Sequence, residues 1–371
     1  MLNSMEFAKE LTKITGFFAG VPDSTLKHLC TALEEILPKE NFWTSANEGN
    51  AVALAAGYTF ATGLPGVVYM QNSGIGNGIN PLLSLNDPIV YGIPALLIVG
   101  WRGEPGVKDE PQHLKQGAVT TDLLDACQIP YKVLPDNLPE AIDCLNWANN
   151  TMELSSAPVA LLIRNGLFSE IEVLRKNRYD YVREDAIADI ISCLTGNECF
   201  ISTTGMISRE LYDLRVQKGE SSKDLLLVGS MGHVSQVALG IALCKPGNKI
   251  VCLDGDGSVL MHMGAMVTIG QAKVPNMIHI MLNNAAHDSV GGHKTDAENV
   301  EWVNLALSCG YELAESVSAA CELKNALSLF NKKGKCCFLE VKVAQGARTS
   351  LGRPTKTPAQ MKTEFMQALI V

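Results

Sequence analysis

No run of this sequence approaches the ~20 consecutive apolar residues that a bilayer-spanning helix requires. Gly, Pro, Asn or a charge interrupts every candidate, residues 91–101 included. Charge is sparse, at 19% of residues, and basic charge is in deficit: 30 Lys and Arg against 39 Asp and Glu leave a net charge of -9. That balance argues against nucleic acid or an anionic membrane as the main partner, since both select an excess of positive charge. Eleven cysteines are present, yet no Cys-x-x-Cys occurs and only Cys336 and Cys337 adjoin. The others stand singly in apolar patterns, as Cys30, Cys193 and Cys252 do, so they read as reduced core thiols rather than bridges or zinc ligands. Residues 1–9 carry Glu6 and lack the basic and apolar regions of a signal peptide, so a cytoplasmic location is expected. No Gly-x-Gly-x-x-Gly follows a strand, which argues against a dinucleotide-binding dehydrogenase.

What is present is apolar patterning: 47% of 371 residues are hydrophobic, enough for two or three well-cored domains. Short apolar strands alternate with helical stretches, the signature of an α/β fold with parallel sheets. Strands are expected at residues 17–21, 66–70, 95–99 and 159–163, with a helix presenting Leu26, Leu29, Leu33 and Ile36 on one face. Pro22, Asp23 and Ser24 supply turn and N-cap chemistry ahead of that helix. The charges Glu170, Glu172, Arg175, Lys176, Arg178, Asp180 and Arg183 then crowd a stretch poor in strand pattern. It reads as a linker, residues 167–185, between domains 1–166 and 186–371. After it the pattern restarts with a strand at 199–202. Ala-Val-Ala-Leu-Ala-Ala-Gly at 51–57 and Gln-Val-Ala-Leu-Gly at 236–240 each precede a strand and a glycine-bearing turn, at Gly74 and Gly255, suggesting two related halves.

The most informative segment is Gly255-Asp256-Gly257-Ser258, followed by a helical stretch through Gln271, a strand at 277–282, and Asn283-Asn284. A strand-helix-strand crossover places Asp256 and Asn284 at the same carboxyl end of adjacent parallel strands. Their oxygens can converge on a hard cation such as Mg²⁺, and Gly255 and Gly257 let a diphosphate approach the backbone closely.

With this spacing the sequence resembles the thiamine diphosphate-dependent 2-oxo acid decarboxylases, most closely the short phosphonopyruvate and sulfopyruvate decarboxylases. The resemblance covers essentially the whole chain. It implies two thiamine diphosphate-binding domains with parallel sheets flanked by helices and no middle domain, the first for the pyrimidine and the second for the diphosphate. It implies thiamine diphosphate and Mg²⁺ as cofactors, with Asp256, Asn284 and the carbonyl of Ala286 as metal ligands. Gly229, Gly255, Gly257, Ser258 and Asn284 are then expected at the cofactor, with Met231 propping it into its bent form. Ala285 stands where related enzymes often carry Gly after the Asn pair, which concerns the loop backbone and not the ligands. Glu48, before the small-residue helix 51–57, matches the glutamate that holds the aminopyrimidine in its proton-accepting tautomer. Taken alone, Glu48 reads as an N-terminal helix charge favoured by the macrodipole, and it is the metal motif beside it that favours the catalytic reading.

For the substrate, residues 20–24 resemble the segment that offers an acid to the reaction centre, so Asp23 is a candidate catalytic group, or an N-cap, and Ser24 a substrate contact. The turn-rich loop 101–113 carries Arg102 and Lys108, which can bind an anionic tail through charge-assisted bonds. His113 can donate a proton near neutral pH, and His287 and Ser289 can line the same cavity. His28, His262 and His279 lie in helix or strand patterns and read as structural. The implied activity is decarboxylation of 3-phosphonopyruvate, a small 2-oxo acid, to phosphonoacetaldehyde and CO₂. Sulfopyruvate decarboxylation is the nearest rival, and a silent cofactor-binding sensor or scaffold the rival of another class. The resemblance also implies a homo-oligomer, at least a dimer, in which Glu48 and Asp256 of different chains share one cofactor.

Overall fold

The computed structural model describes residues 1–172, 177–194, 198–220 and 224–369. These divide into two compact units, Met1–Arg175 and Lys176–Val371. In the first unit the strands are β1 Phe18–Gly20, β2 Phe42–Thr44, β3 Gly66–Gln71, β4 Ala95–Gly100, β5 Tyr131–Val133 and β6 Val159–Ile163. They form one parallel sheet in the order β2-β1-β3-β4-β6-β5. Helices α1 Ser4–Leu11, α2 Lys27–Ile36, α3 Glu48–Thr62, α4 Ile75–Pro81, α5 Pro111–Ala126 and α6 Leu138–Ser155 lie between and before them. The central strands are near-continuous Val, Leu and Ile because helices cover both faces. Leu96 and Ile98 enter the core shared with α1, α2 and α6, whereas Leu97 and Val99 enter the one shared with α3, α4 and α5. The small residues of α3 let it lie close on the sheet: a Cβ built on Gly66 would stand 2.7 Å from the Cβ of Ala55.

The second unit contains β7 Cys199–Ser202, β8 Leu225–Leu226, β9 Ile250–Gly255, β10 Met277–Asn283, the short hairpin β11 Ala286–His287 and β12 His293–Lys294, then β13 Leu313–Val317 and β14 Cys337–Lys342. Its helices are α7 Arg183–Cys193, α8 Met206–Gln217, α9 Val234–Cys244, α10 Asp256–Met261, α11 Ala265–Ala272, α12 Trp302–Cys309, α13 Ala320–Lys333 and α14 Pro358–Ala368. The main sheet is again six parallel strands, ordered β13-β14-β10-β9-β7-β8. Numbered from the first strand of each unit, both sheets read 2-1-3-4-6-5, so the weak likeness between 51–57 and 236–240 falls on equivalent helices, α3 and α9. In such a sheet the order in which successive strands are added reverses between the first and third strands, and the crevice outside their carboxyl ends is where ligands bind. Those ends carry Asp23 and Gln71 in the first unit, and Thr203 and Asp256 in the second.

Several expectations are adjusted. The helical stretch expected up to Gln271 is two helices, α10 and α11, broken at residues 262–264, and it begins at Asp256. The strand expected at 17–21 spans Phe18–Gly20. Part of the expected linker belongs to the units: Leu167 and Phe168 are core residues of the first, and Arg183 opens α7 of the second, buried at 4% exposure. Arg175 and Lys176 of that charged run lie outside the described residues. Among the described residues, no helix is long and apolar enough to cross a membrane.

Candidate active site

At the carboxyl end of β9, Gly255 leads into α10, whose first residue is Asp256. Its carboxyl is buried and accepts the Thr295 hydroxyl at 2.5 Å. Burial pushes the Asp256 pKa up to about 7 against the pull of Thr295 and of the backbone N–H groups of Asp256 and Gly257. The register of β9 with β10 sets Leu282 beside Gly255, which brings Asn283 and Asn284 to the same sheet edge. Thr295, which the sequence reading did not single out, ties the two loops together. Its hydroxyl holds Asp256 while its backbone N–H donates to the Ala285 carbonyl at 3.0 Å. The corner thus gathers a carboxylate, the Asn284 amide and the Ala286 backbone. These are hard oxygen donors of the kind Mg²⁺ takes, and a cation there would offset the cost of ionising a buried carboxyl.

The Asn loop is held from beneath. Asn283 donates to Glu340 at 2.6 Å, the other Glu340 oxygen accepts Ser316 at 2.6 Å, and Asn283 Oδ1 accepts the Ala285 N–H at 3.0 Å. This bracing sets Ala285 at φ 54°, the left-handed region where Gly is easier.

Three candidates meet at Gly257. A Cβ there would stand 2.6 Å from His287 Cε1 and 3.3 Å from Met231 Cε, so only Gly leaves room between them. Met231 projects from the turn that starts near half-buried Gly229, with Ser230 at φ 55° and Gly232 at φ 87°. Ser258 is engaged within the fold, accepting the Gly232 N–H at 3.1 Å and the Thr203 hydroxyl at 3.2 Å. Burial, then the neighbouring His293, pushes His287 down to about 4, so its ring is neutral at pH 7. Ser289 is exposed, near Gly205. A separate buried group, Cys252, Asp254 and His279, lies deeper in the sheet, where His279 also bonds the Tyr311 hydroxyl at 2.9 Å.

In the first unit Glu48 opens α3 behind the N-cap Asn47, whose side chain accepts the Asn50 N–H at 2.9 Å. The Glu48 carboxylate is 5% exposed and accepts the Asn77 amide at 2.7 Å. It rests against Gly74, where a Cβ would come within 2.4 Å of Oε1. Asn77 was missed by the sequence reading; only the glycine-rich run around it was a signal.

Asp23 is fully buried in the space left by Gly100. It accepts the Thr25 N–H at 2.8 Å and the Gln71 amide at 2.6 Å, and α2 begins only at Lys27 with Leu26 at its N-cap position. Asp23 therefore shapes an Asx turn and does not cap the helix. Arg102 donates to Ser24 at 2.8 Å and makes a two-point ion pair with Asp109 at 2.8 and 2.5 Å. Gly103 and Gly117 let this loop lie on α5, where a Cβ at Gly103 would stand 2.0 Å from the His113 carbonyl. Burial and then Arg102 lower the pKa of His113, with Asp109 and Asp23 opposing. Asp23, Ser24, Arg102 and His113 are thus brought together. Lys108 is exposed, and among the described residues no hydrogen bond or ion pair ties it to this group.

The N-terminal TPP binding domain of thiamine pyrophosphate enzymes matches residues 9–127, and the C-terminal TPP binding domain matches residues 203–341. The chain is 34% identical to a phosphonopyruvate decarboxylase of Streptomyces viridochromogenes and 33% identical to one of Streptomyces hygroscopicus, in each case over 94% of this chain and 89% of that protein. It is 26% identical to a sulfopyruvate decarboxylase of Methanosarcina acetivorans, over 100% of this chain and 99% of that protein. Both cofactor domains and these near full-length matches lead to one conclusion: the chain belongs to the thiamine diphosphate-dependent 2-oxo acid decarboxylases and is a carboxy-lyase.

Proposed function

We propose that this decarboxylase acts on 3-phosphonopyruvate, releasing CO₂ and phosphonoacetaldehyde. The observation that carries this is Arg102. Its guanidinium is fixed by Asp109 and Ser24 at the switch point of the first sheet, beside Asp23 and His113, and its three side-chain bonds leave two N–H donors for an anionic tail. Similarity to the two Streptomyces enzymes supports the same substrate. When bound, thiamine diphosphate supplies the carbon that adds to the ketone and the ring that takes up the electron pair released with CO₂. On this reading Asp256, Asn284 and the Ala286 carbonyl hold Mg²⁺, Gly255 and Gly257 admit the diphosphate, and Met231 supports the cofactor from beside Gly257. Glu48 holds a proton on the aminopyrimidine, with Asn77 fixing its carboxylate. Arg102 and Ser24 orient the tail, His287 and Ser289 line the pocket, and His113, in the field of Asp23, returns a proton to the carbon that loses CO₂. Lys108 is left outside the pocket.

Steady-state kinetics with phosphonopyruvate, sulfopyruvate and pyruvate test the assignment. Arg102→Met removes a charge-assisted contact of about 1.5–3 kcal/mol, so kcat/KM on phosphonopyruvate should fall about ten- to hundredfold while weak pyruvate turnover changes little. Equal losses on all three substrates would reject tail recognition, and faster turnover of sulfopyruvate by the unmodified enzyme would reassign the substrate.

The enzyme is also proposed to work as at least a dimer of this chain. Each unit exposes several large apolar side chains: Leu54, Phe60, Ile89 and Tyr91 on the first, Leu243, Met263 and Val267 on the second. Gly57 and Gly240 leave open space on the flanking helices α3 and α9. Mixing inactive Glu48→Gln and Asp256→Ala proteins under subunit exchange should restore some activity; no recovery despite demonstrated exchange would contradict a site shared between copies.

A further inference from the structure

Asn284 Oδ1 and Nδ2 are nearly the same shape, and a half-turn of the amide exchanges them. Only the oxygen can bind a cation, so something must specify which end faces it. Resting on the reading of Asn284 as a metal ligand, we infer that Asp288 is a positioning residue which turns that amide oxygen-first toward the cation and is itself locked in place by Arg183.

The geometry is one oxygen with three donors. Asp288 Oδ2 accepts Asn284 Nδ2 at 2.7 Å, Arg183 Nη1 at 2.6 Å and the Gly346 N–H at 3.0 Å. A carboxylate oxygen is acceptor-only, so the amide nitrogen must face it. The other end is fixed consistently, since Asn284 Oδ1 accepts the Ala286 N–H at 3.1 Å. The reversed amide would set oxygen against carboxylate and NH₂ against N–H, losing both bonds at a buried site.

Arg183 gives the arrangement its rigidity. It opens α7, is 4% exposed, and makes a two-point pair with buried Glu210 of α8 at 2.8 and 2.9 Å. A remaining N–H reaches the Gly346 carbonyl at 3.1 Å. Gln345 Nε2 adds a bond to the Asn284 carbonyl at 3.2 Å. The segment after β14 therefore clamps the Asn loop from one side, and Asp288 links the clamp to the amide. Burial works against the Arg183 charge, but Glu210 and Asp288 hold its pKa above the ordinary arginine value, so the anchor stays charged.

The test is Mn²⁺ binding in the presence of thiamine diphosphate, read from the electron paramagnetic resonance signal of unbound Mn²⁺, on full-length protein whose stability is measured in parallel. Asp288→Ala should weaken Mn²⁺ at least tenfold. Asp288→Asn, whose amide oxygen can accept the same three donors, should stay within about threefold even though it removes a counter-charge from Arg183 and lowers stability. Asn284→Asp combined with Asp288→Ala should recover binding, because a carboxylate presents oxygen at either end. If Asp288→Ala does not fold, Asp288→Ser, too short to reach the amide, takes its place. Unchanged binding in a folded Asp288→Ala protein, equal loss in Asp288→Asn, or no recovery in the double variant would each overturn the inference. Asn284→Ala serves as the reference: if it binds Mn²⁺ normally, the metal-ligand reading beneath the inference fails instead.

Discussion

Gly74 offers the sharpest test of how Glu48 is held. Its backbone, at φ −72° and ψ −16°, is one that any L-residue adopts, so Gly74→Ala introduces no backbone strain. The added methyl would stand 2.4 Å from Glu48 Oε1, 2.5 Å from Cγ and 2.6 Å from Cδ, all inside the 3.0 Å limit of real contacts. The Oε1 atom must retreat by about 0.6 Å to reach that limit and by about 1.0 Å to reach ordinary contact at 3.4 Å. The clash also involves Cγ and Cδ, so the whole carboxyl group must move, which disturbs the 2.7 Å bond that Asn77 makes to the other oxygen, Oε2. Losing a hydrogen bond to a charged group costs about 1.5–3 kcal/mol, and a misplacement near 1 Å at a reacting group costs about a hundredfold in rate. With thiamine diphosphate and Mg²⁺ bound, deuterium exchange at the reactive thiamine carbon, quenched in acid and read by NMR, should therefore slow about a hundredfold. Cofactor affinity should change by less than about threefold, because the metal donors lie in the other unit. Gly76→Ala is the control, since its Cβ would meet nothing within 4 Å. A folded Gly74→Ala protein with normal exchange would refute the placement of Glu48 as the activating group.

Three further outcomes follow. Asp256→Ala removes the only carboxylate among the proposed metal donors, so calorimetry should show a large fall in thiamine diphosphate affinity with Mg²⁺ present; unchanged affinity would remove the metal assignment. Ala285→Gly relieves a left-handed residue at φ 54°, worth about 1–2 kcal/mol, against about 0.4–1 kcal/mol of added unfolded-chain freedom. Urea unfolding should show a gain of between about zero and 1.5 kcal/mol, and a loss of about 1 kcal/mol would mean the loop depends on the Ala methyl. Burial holds His113 below its ordinary value of 6.5, so on acidification the unfolded chain takes up the proton first. The stability that neutral His113 contributes is complete above about pH 6.5 and declines as pH falls toward the folded value. His113→Gln should accordingly flatten the unfolding free energy between about pH 7 and 5, and an identical slope in both proteins would contradict the buried, neutral ring.

The central strands were legible in the sequence because runs such as Gly66–Gln71 and Met277–Asn283 are buried on both faces and so are largely apolar, whereas the edge strands β2, β5 and β13, and β14 beside β13, were not read. Asp256 and Asn284 were legible as a pair because one strand-helix-strand crossover spans them. Residues that hold the candidates in place were not, since Asn77, Thr295 and Asp288 act through contacts that no local period encodes. Arg183 shows why composition misleads. It closes a run of charges that reads as a solvated linker, yet its guanidinium is among the most deeply buried charges described, matched by carboxylates 27 and 105 positions away. Arg102 and Lys108 show the converse: one turn-rich loop holds one cation half-buried against Asp109 and Ser24 and leaves the other exposed, a difference that no local sequence pattern encodes.

The repeated strand order bears on how freely the chain can be rearranged. Each unit closes its own sheet between its own helices, and among the described residues neither borrows a strand or a core side chain from the other. The peptide bond joining them is then a matter of stoichiometry and not of architecture. Two genes, each encoding one half, would be expected to yield two stable polypeptides, and each could diversify separately, one around the loop that carries Arg102 and the other around the Asn loop.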